Sequence, residues 1–244
     1  MDRLKSITVL GSSAASDFKS ATQDKSWPLI LKSKLPLEID FQVKIIGGMT
    51  LVRSIPALLD KEKTDLLILH FGTAIGWPSS IMKYANFLGV HGASEFSFHQ
   101  PAFRSKSFRR RTISALKQYV RNLIKYALYF TGQYKTRTNS RELEDQIAAV
   151  SHLAKQKGAK VIWIQHQALH HRKIYLERRC YLRFYAEIIT HLRKHQSSDF
   201  TLVEIPENFL VSQNYLIDAV HLSARGHRQL SNIILESVFN FFPK

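Results

Sequence analysis

Five short runs of apolar residues, rich in β-branched side chains, recur along the chain at 7–11, 41–47, 66–72, 161–166 and 200–206. Runs of this length without polar alternation predict strands buried on both faces. Helix-length stretches separate them at 26–35, 51–59, a long region from 113 to about 157, and 177–195. A final helix is predicted after Ser223, a suitable N-cap, with Leu230, Ile233, Ile234, Val238 and Phe241 on one stripe. Strand alternating with helix implies a mostly parallel sheet covered on both sides. Ligands of such sheets bind beyond the carboxyl ends of the strands, which puts Gly11, Gly47, Gly72 and His166 at the functional edge.

Residues 76–112 break the alternation. Gly76-Trp77-Pro78, Gly89, Gly92 and Pro101 interrupt it, and Phe96, Phe98, Phe103 and Phe108 interleave with polar residues. A long irregular segment in a compact domain is usually a lid or binding loop, or else disordered. The helix that follows carries Ile113, Leu116, Val120, Leu123, Ile124 and Ala127 as an apolar stripe, with Lys117, Arg121 and Lys125 recurring every fourth residue beside it. Such a helix either lies in a membrane interface or packs on a core as an ordinary surface helix. The expected organisation is one domain over 1–244, with 76–137 as a basic lid or insertion.

Composition adds bounds. At 244 residues and 45% hydrophobic, the chain can bury a substantial core. No apolar run is long enough to span a bilayer, and residues 1–11 read as a strand entry rather than a secretory leader. Cys180 is the only cysteine, which excludes an internal disulfide and fits a reducing compartment. The expected location is therefore cytoplasmic, or peripheral on the inner membrane face. The net charge of +16 is uneven. Between Glu95 and Arg141 no acidic residue occurs, while ten Lys and Arg do. That excess suggests an anionic partner: a lipid surface, an acidic substrate or nucleic acid.

The candidate chemistry lies at the two ends. A serine hydroxyl is a weak nucleophile and needs a base to take its proton and donors to hold the oxyanion. Gly11-Ser12-Ser13 follows the first predicted strand, so either serine could present its hydroxyl at the ligand edge. Asp218 precedes His221 by three residues, ahead of the last helix. A carboxylate there can orient the imidazole and stabilise its protonated form. Between them, Gln165-His166-Gln167-Ala168-Leu169-His170-His171 holds three imidazoles, but no Cys joins them and Glu177 lacks a ligand spacing. No metal and no cofactor is expected.

In these blocks the sequence resembles the SGNH or GDSL hydrolases. Val9-Leu10-Gly11-Ser12-Ser13 stands where that family reads Gly-Asp-Ser, which makes Ser13 the nucleophile and puts Ser12 at the Asp position. Ile45-Ile46-Gly47-Gly48 resembles the second block, with Gly48 joining Ser13 as a backbone oxyanion donor. Asp218 and His221 match the fifth block, and Gly226-His227 continues it as is common in the family. The resemblance implies a flavodoxin-like three-layer α/β/α sandwich with a five-stranded parallel sheet, carrying a basic helical insertion after strand three. The α/β-hydrolase elbow Gly-x-Ser-x-Gly is absent.

One block departs. His70-Phe71-Gly72-Thr73-Ala74 occupies the third block, and Ala74 falls where the family's Asn donates to the oxyanion. Losing one such donor typically costs about 10²–10³ in turnover. Thr73 or the His166, His170, His171 cluster could substitute, and Ser12, Thr73 and His166 are the expected substrate contacts. Divergent members among bacterial surface-polysaccharide biosynthesis proteins also lack that Asn and carry a basic insertion. The resemblance thus implies an O-acyl or O-acetyl esterase with an acylated carbohydrate or lipid-linked glycan as substrate. Its alternatives are a weak or inactive module binding an anionic glycan or membrane, and an O-acyltransferase using the same triad. Nucleic acid ranks last as a partner, since no recognition motif accompanies the charge.

Overall fold

The computed structural model describes residues 4–12, 15, 26–46, 55–57, 63–70, 119–120, 123–124, 126–132, 140–165, 175–215 and 221–242. The chain divides into two compact units. The first comprises Met1–Ile75, Thr138–Leu169 and Ala186–Lys244; the second comprises Gly76–Arg137 and His170–Tyr185.

The first unit holds five strands: β1 (Ser6–Gly11), β2 (Asp40–Ile45), β3 (Leu66–His70), β4 (Lys160–Gln165) and β5 (Phe200–Glu204). All pair in parallel, in the order β2-β1-β3-β4-β5. The expected doubly covered parallel sheet is what forms. The expected strands run one or two residues too far at their carboxyl ends where the backbone is described: β2 stops at Ile45, and β5 stops before Pro206, which has no N–H for a ladder. Gly47, Gly72 and His166 lie outside the described residues.

Side chains alternate between the two faces with period two. Ile7 and Val9, level with Leu66 and Ile68, join Ile162, Ile164 and Val203 in a buried cluster on one face. Two helices complete that cluster, α1 (Trp27–Lys32) through Trp27 and Leu31 and α4 (Ala224–Phe241) through Leu230, Ile234 and Val238. Ile233 and Phe241 pack at its margin, so the predicted stripe of the last helix is the one that docks. Full burial of such a side chain contributes roughly 1.5–3 kcal/mol. A six-residue helix is far too short to stand alone, so α1 is held by Trp27 and Leu31 rather than by its own hydrogen bonds.

The opposite face presents Leu10, Leu67, Leu69, Val161 and Trp163, all buried. It is covered by α2 (Ser140–Lys157), which buries Leu143, Ile147 and Val150. The carboxyl half of α3 (Tyr175–Lys194) lies alongside, with Ile188 and Leu192 buried and His191 Nδ1 2.8 Å from Glu144 Oε1 of α2.

In the second unit, residues 119–120, 123–124 and 126–130 are helical. Gly132, at φ 70°, follows them in the left-handed conformation that commonly ends helices. The predicted region from 113 to about 157 is thus interrupted before α2 begins. The second unit also holds 16 of the 35 Lys and Arg but only 2 of the 19 Asp and Glu, so 14 of the net +16 resides there. No helix among the described residues is long and apolar enough to cross a membrane.

Candidate active site

In a sheet ordered 2-1-3-4-5, the strand order reverses between β1 and β3, and ligands of such sheets generally bind beyond the carboxyl ends of the strands at that switch point. The first predicted site segment emerges there. Gly11 is level with Ile45 of β2 and His70 of β3. Its carbonyl accepts from Ile46 N at 2.9 Å, and Ser12 N donates to His70 O at 3.1 Å. The ladder is therefore extended on both sides of β1 by one more bond. These bonds pin together the roots of three segments: the one entering Ser13, the one leaving Ile46 for Gly47-Gly48, and the one leaving His70 for Phe71-Gly72-Thr73. Ser12 O then accepts from Ala15 N at 2.9 Å, turning the chain back at once. A Cβ on Gly11 would sit 2.2 Å from Ala15 Cβ, so only glycine permits that turn. Ser12 itself is buried.

Beneath this turn lies a polar network that the sequence does not announce. His70 is fully buried on the face shared with α1. Trp27 Nε1 donates to its Nδ1 at 3.0 Å, with the two rings edge to face at 5.7 Å. The Trp27 backbone N–H, unsatisfied within its own helix, donates to Nδ1 of buried His227 at 3.2 Å. Both imidazoles accept at Nδ1, so each carries its proton on Nε2. Separate hydrogen bonds thus link Ser12 to the His70 backbone, the His70 ring to the Trp27 indole, and the Trp27 backbone to His227, a residue-to-residue path from the end of β1 to the first turn of α4.

That first turn follows the predicted base by two residues and is itself firmly held. Ser223 caps α4, its Oγ accepting from Gly226 N at 3.2 Å, as the sequence predicts. The same hydroxyl donates to Gln213 O at 2.5 Å, and Ser223 N donates to Asn214 O at 2.9 Å. Arg225 bonds the Gln213 side chain. Asn214, fully buried, donates through Nδ2 to Phe209 O at 2.8 Å and Gln229 Oε1 at 2.6 Å. Gly226 lies so close to Asn214 that an added Cβ would sit 2.1 Å from its carbonyl oxygen. An antiparallel bridge joins Tyr215 to Leu222. His221 stands next to that bridge and is buried, with only 4% of its surface exposed. Leu222 belongs to the same apolar cluster as Ile7 and Val9.

Of the predicted site residues, Ser12 and His221 are described, and both are buried at anchored positions. Ser13, Gly48, Thr73, Ala74, His166 and Asp218 lie outside the described residues, as do His170 and His171. Among the described residues no three His, Cys, Asp or Glu side chains gather as a cation site. Trp27, His70 and Asn214 were not singled out by sequence reasoning. His227 carried a signal, as the neighbour of Gly226 in the block after Asp218 and His221, whereas a lone Trp after a serine carries none.

No family model matches the sequence, and no curated protein matches it significantly. Solved structures do share its fold. The psychrotrophic esterase EstA from Pseudoalteromonas sp. superposes with a TM-score of 0.57 at 10% identity, covering 98% of this chain and 100% of that one. An acetyl esterase holding an acetate ion gives 0.55 at 9% identity, covering 97% of each chain. A member of the lipolytic G-D-S-L family from Veillonella parvula DSM 2008 gives 0.53 at 12% identity, covering 95% of this chain and 97% of that one. At these identities the likeness is one of fold, and it extends over nearly the whole chain.

Proposed function

We propose that this chain is a serine ester hydrolase of the SGNH type that removes O-acyl groups, such as O-acetyl, from a carbohydrate or lipid-linked sugar. The observation that carries this reading is the set of hydrogen bonds that link Ser12 to His70, His70 to Trp27 and Trp27 to His227, through the backbone and side chain of the two middle residues. It ties the turn preceding Ser13 to the helix that follows His221, two segments some 200 residues apart in sequence. A catalytic pair drawn from opposite chain ends needs such a tie, because small misplacements of nucleophile and base cost orders of magnitude in rate. The esterases that share the fold support the reaction class.

In this mechanism Ser13 Oγ attacks the ester carbonyl while His221 takes its proton, and the negative charge collects on the former carbonyl oxygen. Backbone N–H groups of Ser13 and Gly48 stabilise that oxyanion. His221 then protonates the departing sugar oxygen as its bond to the acyl carbon breaks, leaving an acyl-serine. Water attacks that ester with His221 again as base, and the bond to Ser13 Oγ breaks, returning the proton to Oγ and releasing the carboxylic acid. Asp218 orients the imidazole throughout. The burial of Ser12, whose backbone N–H and C=O are both engaged, favours Ser13 as the serine that faces substrate. A sugar hydroxyl in place of water would turn the same acyl-enzyme into a transferase. Ala74 favours slow turnover or a binding role, because it supplies no third donor.

The test is labelling of the purified protein with a fluorophosphonate, read by intact mass beside Ser13→Ala and Ser12→Ala. A single adduct lost in Ser13→Ala and retained in Ser12→Ala is expected. Absence of an adduct on folded protein, with a known serine esterase labelled in parallel, would favour the binding module.

A further inference from the structure

The second unit presents an apolar stripe that its own fold leaves uncovered. Tyr119, Leu123, Tyr126 and Phe130 are 62%, 51%, 45% and 80% exposed. They stand 4, 3 and 4 residues apart in the helical pieces 119–120, 123–124 and 126–130, spacings that at helical pitch fall within an arc of about 60°. Leu128, on the far side, is the buried member. The pattern is therefore the reverse of a surface helix docked on a core: Val120 and Leu123, two of the predicted stripe, face outward.

Three rings at the end of this stretch are in contact. Tyr126 stacks on Phe130 at 6.5 Å between ring centroids, and Phe130 meets Tyr129 edge to face at 5.9 Å. Arg179 lies over the Tyr129 ring at 5.5 Å, and Arg183, one turn further along α3, is exposed like it. An apolar and aromatic stripe with a guanidinium at its border thus lies in a unit that carries 14 net positive charges.

We propose that the second unit docks on the surface of an anionic lipid bilayer, seating Tyr119, Leu123, Tyr126 and Phe130 among the headgroups. The chemistry fits on two counts. Tyr and Phe side chains suit the interface between water and hydrocarbon, where an apolar ring can be buried while a phenol hydroxyl stays wet. The Lys and Arg that the same unit carries are attracted to the negative surface potential of anionic lipid, within about a Debye length of it. Neither feature alone holds a protein on a membrane, but two weak signals together do. This inference stands apart from the esterase reading, and its test involves no catalysis.

The full chain is floated with vesicles of pure phosphatidylcholine and with vesicles containing about 30% phosphatidylglycerol. Binding to the anionic vesicles alone is expected, with most of it lost by about 0.5 M salt. Leu123→Ser combined with Phe130→Ser should weaken it about tenfold or more with the thermal melt unchanged, since the replaced side chains are exposed. Independently, Phe130→Trp should show blue-shifted emission on adding the anionic vesicles, and quenching by lipids brominated on the acyl chain. Absent flotation, equal flotation on both vesicle types, or emission from the Phe130→Trp protein that never shifts would overturn the proposal. So would retention of a single-stranded oligonucleotide without vesicle binding, which would make nucleic acid the partner. A self-association dissolved by the double substitution, again without vesicle binding, would make a second copy of the chain the partner.

Discussion

Trp27 does two jobs with two N–H groups: the indole holds His70 at the end of β3, and the backbone holds His227 in α4. Trp27→Phe keeps the aromatic bulk and the backbone bond but strips the donor from buried His70. A cost of about 1–3 kcal/mol follows from leaving Nδ1 without it, measurable as a fall in the denaturant midpoint at unchanged slope. On the esterase reading, kcat on a small acetyl ester should also fall while KM holds, because the turn before Ser13 hangs on His70. Full kcat in the destabilised variant would make the network purely structural. This layer was the least legible in the sequence. Ser13, Asp218 and His221 stand in recognisable spacings, but a tryptophan near the amino end and two histidines 157 residues apart share no local pattern.

Among the elements, the clasp around the start of α4 has the strictest geometry. Gly226→Ala would drive a methyl into the Asn214 carbonyl, 2.1 Å away. Backbone cannot swing aside as a side-chain tip can, so a loss of about 1–3 kcal/mol is expected. Because the clasp holds Tyr215 to Leu222, the neighbour of His221, fluorophosphonate labelling should on the esterase reading slow as well. Thermal melts and labelling rates on one preparation separate the two effects. Strands, final helix and cap were readable beforehand because burial on both sheet faces and the α4 stripe impose their own periodicities. Element ends were not: β2 and β5 end where ladder partners end, and that depends on neighbouring strands.

Across the whole molecule, charge and architecture are segregated. The sheet-bearing unit is nearly neutral, whereas the second unit concentrates 14 of the 16 net charges. Like charges at that density repel, and salt screens them. Raising sodium chloride from about 0.05 to 0.5 M should therefore increase the melting temperature by about 2–5 °C. Scanning fluorimetry across that range checks it, and a flat or falling midpoint would show that the charges are already compensated.

The sequence by itself determined the α/β alternation, the parallel sheet, the cap of the last helix and the basic character of the middle of the chain. Each of these is a local signal, set by side-chain periodicity or composition within a few turns of backbone. Only the tertiary structure decided that the roots of three segments meet at Gly11, that Trp27 bridges His70 and His227, and that the stripe through Leu123 and Phe130 faces outward. Those facts depend on which distant surfaces come into contact, and hydrophobic pattern specifies that a face is apolar without specifying what will cover it.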